Sequence, residues 1–177
     1  GSIGGGIRMN SGCYGEDISK ILLSVQVMDF DGKMRVVYSS NIKFSYRGCN
    51  LDPNLIFISA TFKGKKDIKE NIKKKIDLLI NKKKQDQPSK IKTCGSTFKN
   101  PQNNKAWKLI KDSGCQGFAV GDAYISDKHC NFFVNKGNAR SEDLESLIHK
   151  VKEKVFDKTG IKLELEIQII GKKKWKI

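Results

Sequence analysis

The stretch ILLSVQVMDF, residues 21–30, is followed by the pair Asp31-Gly32 and then by KMRVVY, residues 33–38. Apolar residues alternate with others in the first run, as they do in a strand that buries one face. An Asp-Gly pair between two such runs is a strong signal for a tight turn, because glycine readily adopts positive φ. The stretch therefore predicts an antiparallel β-hairpin.

Further elements are predicted after this hairpin. They are a serine-capped helical turn at 39–44, a buried strand at 55–62, helices at 67–81 and 105–113, short strands at 117–120, 123–126 and 131–135, a helix that Ser141 caps and Gly160 ends, and a final alternating strand at 161–170. In the helix at 67–81 apolar residues recur at helical spacing, which predicts that this face packs in the core. These residues are Ile68, Ile72, Ile76, Leu79 and Ile80. Helices beside antiparallel strands predict an α+β fold.

The segment 81–92 is rich in lysine, contains Pro88 and shows no apolar period. Such a composition is typical of a linker. We therefore predict a first domain at 1–84, a second domain at 85–171 and a basic tail at 172–177.

Composition excludes several classes of protein. No apolar run approaches the roughly 20 residues that span a bilayer, and the first residues lack the pattern of a secretory signal. The 5 cysteines form an odd set without a Cys-x-x-Cys pair, which argues against a disulfide framework and a zinc ribbon. We expect reduced thiols in a cytoplasm and no metal site. Because the chain begins at Gly1 without methionine, we also expect its natural amino terminus to be missing.

The net charge of +15 comes mainly from lysine. Such charge serves phosphate binding, so a nucleic-acid-binding or phosphate-binding protein without catalysis is an alternative function. Modules that read nucleic acid usually add arginine forks or aromatic stacking platforms, which are not interleaved here. We interpret most lysines as solvated, with a positive field that speeds the encounter with phosphorylated ligands.

The segment Thr93–Pro101 concentrates groups that build binding sites. Gly95 lets a ligand approach the main chain, and Pro101 holds Asn100 in extended geometry. Hydroxyl, ammonium and amide groups lie close together along it, on Ser96, Lys99 and Asn100. Local chemistry alone favours a polar turn before a helix over a binding site.

Several short motifs occur in order along the chain. They are Gly1-Ser2-Ile3-Gly4-Gly5, Met9-Asn10, Gly12, Tyr14-Gly15, Tyr46-Arg47, Gly95-Ser96, Phe98-Lys99-Asn100-Pro101, Lys128-His129, Asn131-Phe132, Val134-Asn135, and Glu166 before Ile167 and Gly171. In this order and spacing they resemble the UDP-N-acetylenolpyruvoylglucosamine reductase family, flavoenzymes of peptidoglycan precursor synthesis. The resemblance spans nearly the whole chain, and its combined motifs are far more specific than one glycine-rich loop.

The resemblance implies a fold and a reaction. Residues 1–84 would form the C-terminal part of a vanillyl-oxidase-like FAD-binding domain, and residues 85–171 a small α+β substrate domain with an antiparallel sheet. NADPH would reduce a tightly held FAD. The enolpyruvyl ether of UDP-N-acetylglucosamine would then accept the hydride at its terminal carbon and a proton at the neighbouring carbon, giving UDP-N-acetylmuramate.

The resemblance also implies three catalytic residues. Arg47 matches the arginine that stabilises the substrate carboxylate, Ser96 matches the proton donor, and Glu166 matches the second acidic group. Glu164 is the alternative to Glu166, because both lie on the polar face of the predicted last strand. Without the resemblance, the carboxylates would be interpreted as surface groups and Arg47 as an exposed arginine on a bend.

Other matched residues imply binding roles. The cofactor-binding residues would be Gly1, Ser2, Gly4, Gly5, Asn10, Gly12 and Tyr14, and the substrate-binding residues Tyr46, Lys99, Asn100, Lys128 and His129. Family members often carry a serine where this chain has Gly48-Cys49. The spacing between Arg47 and Ser96 leaves no room for the insertion of the longer subtype, so the shorter subtype is implied.

The resemblance further implies that an upstream flavin-binding region is missing, so that the chain alone would bind FAD weakly and be inactive. The partners would be NADPH and the UDP-sugar, without nucleic acid or membrane, and the enzyme would be a cytoplasmic monomer. Another rival is an oxidase of the wider flavin fold with covalent flavin. The Ser96 segment and Glu166 argue against that class.

Overall fold

The computed structural model describes residues 1–171, which form two units, Gly1–Ile68 and the residues from Lys69 onward. The first unit contains α1 (Ile3–Arg8), β1 (Gly12–Cys13), β2 (Glu16–Asp17), β3 (Leu22–Met28), β4 (Met34–Tyr38), β5 (Phe44–Ser45), β6 (Gly48–Cys49) and β7 (Ile56–Phe62). The second contains α2 (Lys69–Asp86), β8 (Lys92–Ser96), α3 (Ala106–Asp112), β9 (Ala119–Val120), β10 (Ala123–Ile125), β11 (Phe132–Asn135) and α4 (Ser141–Thr159).

The predicted α+β class is confirmed, with antiparallel pairing throughout these sheets. Of the helices within residues 1–171, none has the length and apolar character needed to cross a bilayer.

The predicted hairpin is present as β3 and β4, with Val25 opposite Val37. Its turn is longer than the predicted Asp31-Gly32 pair and spans residues 29–33. The carboxylate of Asp29 accepts hydrogen bonds from the N–H groups of Asp31 and Lys33, at 3.1 and 2.9 Å. Because this side chain organises the loop locally, the turn closes outside the two residues that carry the sequence signal. Gly32 still supplies the positive φ, +80°.

The strand predicted at 55–62 forms as β7, but the prediction that it is buried is wrong. The sheet order is β4-β3-β7, so β7 is an edge strand. One face of the sheet packs on the core of the first unit, whereas Ile56 and Ile58 on the other face are 41% and 48% exposed. The core residues of this unit are Ile7, Leu22, Val25, Val27, Ile42 and Leu55.

The helix predicted at 67–81 forms as α2 but runs on to Asp86, through the first half of the predicted linker. The prediction that its apolar face packs in the core is wrong, because every residue of α2 is exposed, Ile72 by 43% and Ile76 by 50%. A helix-spaced apolar stripe shows that a helix forms, but it does not specify what covers the stripe.

The second unit is built on a four-stranded sheet of order β8-β11-β10-β9, with α3 and α4 packed on its core. The predicted helix at 105–113 and the three predicted short strands are confirmed with shorter bounds, as α3, β9, β10 and β11. The most buried core residues include Phe98, Ile110, Ile125, Leu147, Val151, Val155 and Leu163. Positive φ at Gly114 and Gly160 ends α3 and α4, as predicted.

Three predictions at helix and strand ends are wrong. Arg140, not Ser141, occupies the cap position of α4, and its N–H donates to the Asp143 carboxylate at 2.9 Å. Tyr38 precedes the short 3-10 turn Ser39–Asn41, without a side-chain cap. Residues 161–170 form one isolated bridge, Leu165 with Phe98, instead of a strand. The predicted basic tail at 172–177 lies outside the described residues.

Candidate functional site

The predicted site segment begins at the end of β8, where Ser96 pairs with Phe132 of β11. Gly95 has φ +88°, a conformation that side-chain-bearing residues rarely adopt. Its N–H donates to the Thr93 hydroxyl at 3.3 Å. Ser96 is half-buried at the end of this strand.

On one side, Asn131 holds the residues after Ser96. The N–H of Phe98 donates to Asn131 Oδ1 at 2.9 Å, and Asn131 Nδ2 donates back to the Phe98 carbonyl at 2.8 Å. The Thr97 N–H donates to the backbone carbonyl of Asn131 at 2.8 Å. Asn131 is 3% exposed, so these bonds are shielded from water.

On the other side, residues 164–166 lie against the same segment. The Lys99 N–H donates to the Glu164 carbonyl and the Glu166 N–H donates to the Thr97 carbonyl, both at 2.9 Å. Two residues predicted to be catalytic, Ser96 and Glu166, are therefore carried on backbone segments that lie side by side.

The two candidate glutamates have different surroundings. The carboxylate of Glu164 is 3.7 Å from the Lys99 ammonium and its side chain is 77% exposed, whereas Glu166 is half-buried. Catalytic carboxylates are more often partly buried than fully exposed. The burial of the two side chains therefore favours Glu166 over Glu164 as the predicted catalytic glutamate.

Asn100 and the pair Lys128-His129 were predicted to contact substrate. The amide oxygen of Asn100 accepts the Ala106 N–H at 3.0 Å, at the start of α3. The ammonium of Lys128 donates to the carbonyl of Lys84. These bonds give the side chains of Asn100 and Lys128 structural roles. That they also contact substrate stays a prediction.

His129 lies against aromatic rings. Its ring centroid is 4.8 Å from that of Phe132, edge to face, and 6.2 Å from that of Trp107. Its Nδ1 accepts the Asn131 N–H at 3.3 Å. Burial lowers the pKa of His129 below its usual 6.5, so the neutral ring is favoured.

The third predicted catalytic residue, Arg47, belongs to the first unit and lies with Tyr46 in the turn between β5 and β6. The turn gives Arg47 a φ of +57°. Its guanidinium stacks on the Tyr46 ring, 4.9 Å from the centroid, and donates to the Gly12 carbonyl at 3.3 Å. Its planar fork is thus held on a bend, as predicted.

The glycine-rich start of the chain forms α1, a helix that the sequence patterns did not predict. The Ser2 hydroxyl accepts the Gly5 N–H at 3.1 Å and so caps this helix. A Cβ atom on Gly4 would come within 2.8 Å of Phe57, which explains this glycine by packing. A Cβ on Gly1 would meet nothing, and one on Gly5 would meet only the Ser2 hydroxyl, at 3.4 Å.

The remaining predicted cofactor residues follow α1. Asn10 is 6% exposed; its amide donates to the Ser45 carbonyl at 3.3 Å, and its oxygen accepts the Ser19 N–H at 3.0 Å. A Cβ on Gly12 would come within 2.3 Å of the Glu16 carbonyl oxygen, on the strand paired with it. Asn10 and Gly12 therefore have structural roles, and Tyr14 is half-buried with φ +55°.

Sequence reasoning assigned no site role to Asn131, which is bonded to Phe98 through its side chain and to Thr97 through its backbone carbonyl. A polar residue followed by the apolar run Phe132–Val134 could have signalled a buried amide. Its partner, Phe98, is 33 residues away in sequence, and no local pattern reveals that contact.

Comparison with known proteins places this geometry in a family. Residues 87–170 match the family model described as UDP-N-acetylenolpyruvoylglucosamine reductase, C-terminal domain. The reductase of that name from Pelagibacter ubique is 50% identical over 173 residues, which are 96% of this chain and 57% of that protein. The Rickettsia prowazekii reductase is 44% identical over 97% of this chain and 58% of its own length.

A solved structure agrees with these relatives. The crystal structure of UDP-N-acetylenolpyruvylglucosamine reductase from Thermus caldophilus superposes with a TM-score of 0.83 at 35% identity, covering 94% of this chain and 59% of that one. The chain therefore spans a little over half the length of the proteins it matches. Since the similarity extends over nearly all of its own length, the chain belongs to the UDP-N-acetylenolpyruvoylglucosamine reductase family.

Proposed function

We propose that this chain carries catalytic residues of an NADPH-dependent, FAD-mediated reductase that converts the enolpyruvyl ether of UDP-N-acetylglucosamine to UDP-N-acetylmuramate. The observation that supports it most is the pairing of the Ser96 and Glu166 segments through Thr97, within the part of the chain that matches the family model. Because the relatives are longer than this chain, the proposal concerns the protein at their full length.

Reduction of the enolpyruvyl group places negative charge next to a carboxylate and then requires a proton on carbon. Ser96 donates that proton from its half-buried position at the end of β8. A serine hydroxyl is a weak acid, but a carbanion-like carbon is a strong base, and either the Lys99 ammonium or an ordered water would compensate the alkoxide as it forms. Glu166 is the second acidic group.

Arg47 stabilises the substrate carboxylate as charge develops on it. A guanidinium offers two parallel N–H donors to a carboxylate, whereas an ammonium is a point charge. The stacking of Arg47 on Tyr46 restricts the fork to few orientations, and such preorganised donors lower the barrier without rearranging during the reaction.

The residues at the start of the chain fit a flavin cofactor in part. Packing within the first unit does not explain Gly1 or Gly5, because a Cβ on Gly1 would meet nothing within 4 Å and one on Gly5 only the Ser2 hydroxyl, so a cofactor role is assigned to them from the family. Gly4, Asn10 and Gly12 are explained by packing and hydrogen bonds within the first unit. FAD, when bound, would accept hydride from NADPH and supply it to the terminal enolpyruvyl carbon.

The proposal includes a cytoplasmic, monomeric enzyme whose partners are NADPH and the UDP-sugar. Binding of that sugar is assigned to Tyr46, Lys99, Asn100, Lys128 and His129. The excess of lysine would raise the encounter rate with these polyanionic ligands.

The proposal is tested with the full-length protein that contains this chain. Incubation with NADPH and the enolpyruvyl UDP-sugar should yield a product with two more hydrogens by mass spectrometry, and denaturation should release unmodified FAD. Salt-sensitive binding of oligonucleotides, without flavin and without reduction, would support the phosphate-binding alternative instead.

A further inference from the structure

The side chain of Asn131 extends the pairing between β11 and the Ser96 segment. β8 and β11 are paired from Lys92 to Ser96, with a register shift between Phe132 and Val134. Phe98 lies beyond the end of β8, yet its N–H and carbonyl are both bonded to the Asn131 amide. The side chain thus takes the place of a strand residue opposite Phe98.

A primary amide suits this position because it has a donor and an acceptor in one plane, like a peptide group. Both partners are backbone atoms of Phe98, which is 1% exposed. Removing the amide would leave a buried N–H and a buried carbonyl unsatisfied, which is costly in a core. No aliphatic residue of similar size can replace both bonds.

We propose that Asn131 is a positioning residue for Ser96: its amide fixes the backbone that aims the Ser96 hydroxyl at the substrate. The inference rests on the proposed role of Ser96 as proton donor. Asn131 acts through Thr97 and Phe98, which follow Ser96 directly; the Thr97 carbonyl also accepts the Glu166 N–H on the other side of the segment. It is not itself a catalytic residue.

The position of Ser96 matters because proton transfer requires a donor within about 2.6–3.2 Å of its acceptor. A displacement of about 1 Å can lower the rate roughly a hundredfold. Loss of the two side-chain bonds frees Phe98 on the β11 side, so that the residues after Ser96 are held there only by the backbone bond from the Thr97 N–H to the carbonyl of residue 131. Slower protonation with unchanged nucleotide binding is the expected signature.

The main variant is Asn131→Asp. Its carboxylate accepts the Phe98 N–H but repels the Phe98 carbonyl. Its protonated form restores both bonds, because an O–H group then donates to that carbonyl. Asn131→Leu removes both bonds at all pH values. The matched control is Asn135→Leu, which removes a half-buried amide at the other end of β11, whose oxygen accepts the Gly137 and Ala139 N–H groups.

The first readout is the rate at which substrate reoxidises the prereduced full-length enzyme. We expect Asn131→Asp to be slowed at least tenfold at neutral pH and to recover as the pH falls, while Asn135→Leu stays within about twofold of wild type. In the Ser96→Ala background, Asn131→Asp should cause no further loss. A wild-type rate in Asn131→Asp, alongside a slow Ser96→Ala, would overturn the positioning role and leave the proposed function intact.

The second readout needs no activity. Amide hydrogen exchange on residues 1–177 should show faster exchange at Phe98 in Asn131→Leu, which removes the acceptor of its N–H, but not in Asn135→Leu. Unchanged protection of the Phe98 amide in Asn131→Leu would contradict the inference. If Ser96→Ala is reoxidised at the wild-type rate, Ser96 is not the proton donor, and the positioning role of Asn131 fails with it. If only Asn131→Asp is reoxidised at the wild-type rate, the positioning role fails alone.

Discussion

The ammonium of Lys99 lies 3.7 Å from the carboxylate of Glu164, two residues before the half-buried Glu166. The Lys99 N–H also donates to the Glu164 carbonyl, so Lys99 contacts Glu164 through both its backbone and its side chain. The two glutamates, equivalent in the sequence pattern, are therefore distinct in the structure: one forms an exposed ion pair and the other lies partly buried beside the Ser96 segment.

This difference predicts opposite outcomes for two matched variants of the full-length enzyme. Glu166→Gln should slow reoxidation by substrate roughly a hundredfold, because an acid–base group is lost. Glu164→Gln should change it by less than about threefold, since an exposed ion pair contributes little. Stopped-flow flavin absorbance measures both rates. If Glu164→Gln slows reoxidation and Glu166→Gln does not, then Glu164, not Glu166, is the second acidic group.

Arg47→Lys should slow reoxidation by about ten- to a thousandfold, because lysine keeps the positive charge but loses the two-pronged fit to a carboxylate. Reduction of the flavin by NADPH should remain near the wild-type rate. The control for replacing one basic side chain by another is Lys20→Arg, at an exposed position where the lysine ammonium donates to the Gly15 carbonyl. Equal slowing of both half-reactions in Arg47→Lys would show that the residue supports the fold of the first unit instead.

Two glycines of the first unit should respond differently to alanine. Gly12→Ala should destabilise the unit by about 1–3 kcal/mol, because its Cβ would lie 2.3 Å from the Glu16 carbonyl oxygen. Gly5→Ala should leave stability unchanged or raised, since alanine favours helix, and should weaken FAD retention if a phosphate lies beside it. Amide exchange in β3 and β7 reports the stability. Equal tolerance of both substitutions would contradict the packing role assigned to Gly12.

The stability of the second unit should fall in acid because of His129. Burial lowers its folded-state pKa, so its contribution to stability is present above the unfolded pKa of 6.5 and is lost as pH falls through the folded value. His129→Gln should flatten this dependence, and His149→Gln, on the exposed side of α4, should not. Urea midpoints from Trp107 fluorescence, in a Trp175→Phe background between about pH 5 and 8, measure the effect. The same slope in wild type and His129→Gln would exclude His129 as its origin.

The sequence predicted elements whose determinants are local. The hairpin of β3 and β4 and the ends of α3 and α4 at Gly114 and Gly160 follow from turn residues and periodicity within a few positions, whereas the strand β8 before and at Ser96 was not predicted. Their approximate bounds could therefore be read from the chain.

Features set by distant contacts could not be predicted. The exposure of Ile72 and Ile76 depends on what lies beside α2, and the amphipathic pattern does not encode that. The bonds of Asn131 to Phe98 join residues brought together only by the sheet. Likewise, Glu164 and Glu166 occupy equivalent places in the alternating sequence pattern. They are distinguished only by their contacts in the structure, of Glu164 with Lys99 and of Glu166 with Thr97.

The central claim, that Ser96 donates the proton, is tested most directly by Ser96→Ala in the full-length enzyme. Stopped-flow absorbance of the flavin separates reduction by NADPH from reoxidation by the enolpyruvyl substrate. Reduction needs no proton from Ser96 and should keep its rate, whereas reoxidation should slow by about a hundredfold to ten-thousandfold. Equal slowing of both steps, or of neither, would show that Ser96 has only a structural role at the end of β8.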